Sequence, residues 1–144
     1  MDIKLSSHFT LTELTRSATA QRLGLDNTPD AQSLDNLRAL ATNLLEPLRQ
    51  LYGSPIYVTS GYRCPDLNAV VGGAASSQHS RGQAADIKGA TPEENRKLLG
   101  LLLANPDKIP FDQVIAEKCD KKGNPTWLHV SFSTKQQRSQ VLYN

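Results

Sequence analysis

Apolar and polar positions divide the chain into a mainly helical first part and a mainly stranded second part. In "TPDAQSLDNLRALATNLLEPLRQLYG", Leu34, Leu37, Ala41, Leu44, Leu48 and Leu51 recur at helical spacing on one face. The segment predicts one long amphipathic helix, with Thr28 as its cap, Pro29 in its first turn, a kink at Pro47 and Gly53 just past its end. Upstream, "HFTLTELTRSATAQRLG" opens with Thr10 and Glu13 at capping-box spacing, which predicts one or two short helices ended by Gly24. Downstream, "PIYVTSGY", "AADI", "FDQVIAE" and "TWLHVSF" read as strands. The turn-forming "KCDKKGNP" makes the last two an antiparallel hairpin. Between them and the second strand, Thr91-Pro92-Glu93-Glu94 caps a helix that runs to about Ala104. "RCPDLNAVVGGAASSQHSRGQ" reads as a loop, and the polar tail "STKQQRSQVLYN" carries no assignable pattern.

Helices that precede a concentration of strands indicate an α+β fold. The expected architecture is a single compact domain over residues 1–144, with N-terminal helices packed on a small, mainly antiparallel sheet. A chain of 144 residues can bury a core without staples, and with few aromatics that core must rest on Leu, Val, Ile and Ala. The formal charge of +2 gives no basic face for nucleic acid. No run approaches the ~20 apolar residues that cross a bilayer, and the N-terminus has no signal-like apolar stretch. A protein made in the cytoplasm, with no membrane insertion, and acting as a monomer is therefore expected. Cys64 and Cys119 form no CxxC pair and are expected to be free thiols, with a disulfide between them as the alternative.

Chemistry enters with the three histidines. "SSQHSRGQAADIK" carries His79 and Asp86 with only small and polar residues and Gly82 between them. In "WLHVSF", strand alternation puts Trp127, His129 and Ser131 on one face and Leu128, Val130 and Phe132 on the core face. An imidazole nitrogen and a carboxylate oxygen are both good Zn²⁺ ligands, and Gly82 permits the turn that would bring His79 and Asp86 together. With His129 as a third ligand, one position stays open, which is the arrangement of a catalytic zinc. From spacing alone the same residues also fit a turn with an ordinary surface histidine and aspartate. His8 lies outside every motif and reads as a surface residue.

"SQHSRGQAAD" matches, at Ser77, His79, Gly82, Ala84 and Asp86, the S-x-H-x-x-G-x-A-x-D pattern of the zinc D-alanyl-D-alanine carboxypeptidase family of murein peptidases. "SGYR", ending in Arg63, resembles that family's upstream arginine segment, and "WLHVSF" resembles its closing segment. The N-terminal "FTLTELTRSATAQRLGLDNTP" is similar to small phage and prophage members. The resemblance implies zinc held by His79, Asp86 and His129, and cleavage of amide bonds in peptidoglycan stem peptides by a carboxypeptidase or an endopeptidase. It also implies a role in phage lysis, with action at the cell wall after release. Arg63 is then an oxyanion or substrate-carboxylate partner, with a surface ion pair as the alternative. Ser77 binds substrate, orients a ligand or merely stabilises its own turn.

One position departs from the family pattern. Many relatives carry a glutamate three residues before the last histidine, where this chain has Thr126, which cannot act as a base at neutral pH. Glu117, at the end of "FDQVIAE", is the candidate base: antiparallel pairing would set it opposite Trp127, with Gln113, Ile115 and Glu117 on the zinc face. A solvent-facing strand-end glutamate is the alternative, and Asp120 is a weaker candidate. Without a base, the chain would be an inactive zinc-stabilised module that binds the wall or serves a phage structure.

Overall fold

The computed structural model describes residues 2–144. A short hairpin, β1 (Lys4–Ser6) and β2 (Phe9–Thr10), leads into α1 (Leu11–Thr15) and α2 (Ala18–Leu23). Thr10 and Glu13 form the expected capping box, and Gly24 ends α2 with a left-handed φ of 68°. Next come α3 (Ala31–Leu40) and α4 (Glu46–Tyr52), then β3 (Tyr57–Ser60) and α5 (Pro65–Val70). The remainder supplies β4 (Ala84–Lys88), α6 (Pro92–Ala104), β5 (Gln113–Glu117), β6 (Trp127–Ser131) and β7 (Gln140–Tyr143). Strands β3 to β7 form one sheet in the order β3-β4-β6-β5-β7, antiparallel except for the parallel β5–β7 pair. The chain thus has the α+β fold that its patterning predicts.

Several local expectations need correction. Asp30, not Thr28, caps α3, accepting from Ser33 N at 2.7 Å. The long helix is interrupted by a π-helical turn over Ala41–Leu45, which ends two residues before Pro47. Proline has no N–H to donate to the preceding turn, and the wider π turn accommodates that gap. The turn consumes an extra residue, so the buried face shifts by one position: Leu45 and Leu48 are buried, Tyr52 packs against the core, and Leu51 turns out to solvent. Within the supposed loop, Pro65 starts α5 at its first turn, and Cys64 Sγ accepts from Leu67 N at 3.4 Å. The unassigned tail contains β7.

The sheet has two unlike faces. Val58, Ala85, Ile87, Val114, Ala116, Leu128 and Val130 point into the core with Leu37, Leu40, Leu44, Leu48, Leu98 and Leu102 from the helices. Each such leucine contributes roughly 1.5–3 kcal/mol by leaving water. Asn95, buried on α6, is satisfied on both sides: its Nδ2 donates to the carbonyls of Pro125 and Thr126, and its Oδ1 accepts from Gly89 N. Helix α6 is thereby fastened to the start of β6. The opposite sheet face, with Asp86, Ile115, Glu117, Trp127 and His129, lines a cleft. Cys64 and Cys119 are both free thiols. No helix among the described residues is long and apolar enough to cross a membrane.

Glu46 ties the N-terminal hairpin to α4. It accepts from Ser6 Oγ at 2.7 Å, His8 N at 2.8 Å and Gln50 Nε2 at 2.9 Å, and lies 2.7 Å from His8 Nδ1. Burial pushes its carboxyl up, but these partners outweigh burial and hold it at about 2. The folded value lies below the unfolded one of ~4.3, so the stability is present above about pH 4 and lost as pH falls through about 2. Glu46→Gln should therefore cost about 1–2 kcal/mol at neutral pH, a few degrees of melting temperature, and the gap to wild type should close near pH 2. Thermal melts of both proteins at the two pH values check this.

Candidate metal centre

The centre rests on one cross-strand pair. In the β4–β6 register Asp86 stands directly opposite His129, so both side chains leave the same face of the sheet. His129 Nδ1 lies 3.1 Å from Asp86 Oδ1. His79 arrives from outside the sheet, on a 3₁₀ turn over Gln78–Arg81 just before β4, and its Nε2 lies 3.4 Å from the same Asp86 oxygen. The ligand atoms of these three residues all fall within 4.8 Å of one another.

Local chemistry fixes His79. Its ring is 3 % exposed, and its Nδ1 is 2.8 Å from the carbonyl oxygen of Gly61. A carbonyl only accepts, so Nδ1 carries a proton and Nε2 is the nitrogen turned toward Asp86. An imidazole nitrogen so placed against a carboxylate oxygen can share a cation with it, and two imidazoles with one carboxylate are a donor set that suits zinc. Gly61 has no room for a side chain, because a Cβ there would sit 2.2 Å from the Leu14 carbonyl oxygen. Gly82 closes the 3₁₀ turn at φ 73°, and a Cβ on it would meet the Ser33 oxygen at 2.4 Å. The turn is also held to α3 by Asn36 Nδ2, which donates to the Arg81 carbonyl at 2.8 Å.

Burial pushes the Asp86 carboxyl up, yet the two neighbouring imidazoles outweigh it and keep the group well below the usual carboxylate range. Arg63 borders the same cleft. Its backbone N donates to the His79 carbonyl at 3.1 Å, and its buried Nε has no partner among the described residues. Burial pushes the guanidinium down and the Asp86 charge draws it back up. Asn27 pins this segment from behind, donating through Nδ2 to the Thr15 and Tyr62 carbonyls and accepting from Cys64 N. Ser77 Oγ accepts from His79 N at 3.2 Å, so its hydroxyl caps the turn that carries His79.

Glu117 lines the cleft with the three ligands and pairs with Trp127 in the β5–β6 register, while Ile115 faces His129. Thr126 is not among the cleft-lining residues; its Oγ1 donates to the Lys118 carbonyl at 2.8 Å. Asp120 turns the other way and caps its own loop through Lys122 N and Asn124 N. His8 is engaged by Glu46, far along the chain from the centre. Sequence reasoning missed the opposite wall of the cleft. There Asp112 accepts from Gln78 Nε2 and takes a two-pronged contact from Arg138, which binds the 133–138 limb beside the candidate ligands. A polar segment without periodicity gives no sign of that pairing.

A family model described as Peptidase M15 matches residues 7–107. The chain belongs to that family, whose zinc-dependent peptidases act on peptidoglycan peptides. The match takes in Arg63, His79 and Asp86 and stops short of Glu117 and His129, which the fold alone brings to the same cleft. Among curated proteins, none matches the chain.

Two outcomes are expected. His79→Ala and Asp86→Ala should each abolish stoichiometric zinc binding and, with it, the rise in melting temperature that zinc gives the wild type, as metal analysis and melts would read. Gly61→Ala should cost about 1–3 kcal/mol through overpacking against Leu14. By displacing the carbonyl that orients His79, it should also weaken zinc roughly 10- to 100-fold in a chelator competition.

Proposed function

We propose that this protein is a zinc-dependent murein endopeptidase. The observation that carries the reading is the convergence of His79, Asp86 and His129 in a cleft that also holds Arg63 and Glu117. His79, Asp86 and His129 would hold a zinc ion, which would supply a Lewis acid to polarise the scissile carbonyl and acidify a water near neutral pH. Glu117 accepts the proton of the attacking water as its oxygen bonds to the carbonyl carbon. It then passes that proton to the amine nitrogen as the C–N bond breaks, leaving a carboxylic acid and an amine. Arg63, permanently charged, holds the developing oxyanion or a substrate carboxylate.

An endopeptidase is favoured over a carboxypeptidase by the room available. The cleft has a volume of about 1080 Å³, and a second hollow of about 430 Å³ shares Arg63 with it. Arg63 thus borders two hollows, which favours a substrate that extends on both sides of it. The reading extends to phage or prophage lysis, with synthesis in the cytoplasm and action at the wall after release, on the strength of the N-terminal segment's similarity to small phage members. The whole chain then works as one peptidase domain.

The departure at Thr126 favours a second reading, a zinc-stabilised wall-binding module without turnover. Digestion of purified peptidoglycan, with the products weighed, separates these readings. Cuts inside stem peptides support the endopeptidase, release of a single terminal residue supports the carboxypeptidase, and zinc-loaded protein with no products supports the module. Glu117→Gln should keep zinc and folding while losing turnover by ~10²- to 10⁴-fold. Wild-type turnover in that variant would remove Glu117 from the mechanism.

A further inference from the structure

Glu117 is clamped by the end of the chain. Its Oε1 accepts from Asn144 Nδ2 at 2.6 Å, while Oε2 has no partner among the described residues. Asn144 is itself gripped on both sides of its backbone. Its N donates to the Ala116 carbonyl at 2.8 Å, and its O accepts from Cys119 N at 3.0 Å. These bonds continue the parallel β5–β7 ladder, in which Ala116 is matched with Tyr143. On the other side of β5, Thr126 N donates to the Glu117 carbonyl at 2.9 Å. Directly after Glu117 the chain turns sharply at Lys118, a non-glycine residue at φ 46°. Such a conformation persists where its surroundings over-determine it, and here both neighbouring strands do so.

We propose that Asn144 is a positioning residue for Glu117: its amide holds one carboxylate oxygen and leaves the other free to act as the base. The inference rests on the assignment of Glu117 as the base. Three features support it. The contact joins two side chains that are 27 residues apart. The donor is anchored independently of Glu117, through backbone bonds to Ala116 and Cys119. A carboxylate with one oxygen fixed and one free also loses rotation about its Cγ–Cδ bond, which is the preorganisation that proton transfer requires. The β7 strand, which adds only partly buried or exposed residues to the edge of the sheet, acquires a role on this account. It carries Asn144 to the base.

The test uses the full chain, loaded with zinc for kinetics and metal-free for spectroscopy. Asn144→Ala should lower kcat by roughly 10- to 100-fold on a soluble stem peptide, the cost typical of a lost supporting hydrogen bond, with KM and zinc affinity within about twofold of wild type. In metal-free protein the Asn144 side-chain amide, assigned in ¹⁵N spectra, should lie downfield, and in Glu117→Ala it should move to the free-amide position. Asn144→Ala with unchanged kcat, beside an inactive Glu117→Gln, overturns the positioning role and leaves the base assignment standing. Losses of kcat, zinc and melting temperature together mark the tail as structural only and also overturn it. An active Glu117→Gln overturns the base assignment, and this inference with it.

Discussion

Everything at the centre depends on Asp86 and His129 being direct cross-strand neighbours on adjacent strands. Such a pair places two side chains within contact distance without any loop to position them. The third group, His79, is brought in by a 3₁₀ turn and locked by a backbone carbonyl, so the ring has one orientation, with Nε2 toward Asp86. A partly buried carboxylate beside two imidazoles is costly unless protons or a metal neutralise it, and the donor set is one that could hold a metal.

The rest of the fold reads as support for that geometry. Helix α3 backs the 3₁₀ turn through Asn36 and through the close approach of Ser33 to Gly82. The α1 end backs Gly61 through Leu14, whose carbonyl accepts from Tyr62 N at 2.7 Å. Asn27 fixes the backbone on either side of Arg63. Two glycines make these contacts possible, and each permits a backbone approach that a methyl group would block. The ligands are thus preorganised by packing and hydrogen bonds behind them.

The sequence makes some of this legible and hides the rest for physical reasons. Several local signals held, though the Thr28 cap did not: the Thr10 box, the Thr91 cap, the hairpin of β5 and β6, and its register at Glu117 and Trp127 all depend on nearby residues. The three residues that converge as a candidate metal centre were also readable, because His79 and Asp86 stand in a motif and His129 falls on the polar side of an alternating strand. Non-local effects were not readable. The π turn shifts the helix face by one residue, so Leu51 leaves the core. Helix α5 is too short for a periodic pattern, and β7 is recruited by the edge of β5 rather than by its own polar sequence. Gly61 and Asn144 act through a backbone carbonyl and a tail amide whose partners lie 18 and 27 residues away.

The central claim is that one zinc ion is held by two imidazoles and one carboxylate in this cleft. Anomalous diffraction at the zinc edge, on crystals of protein purified without added metal, tests it most directly. The account predicts one strong peak per chain, about 2.0–2.2 Å from His79 Nε2, an Asp86 oxygen and His129 Nδ1. A peak at Cys64 or Cys119, or no peak in crystals soaked with zinc, would contradict it.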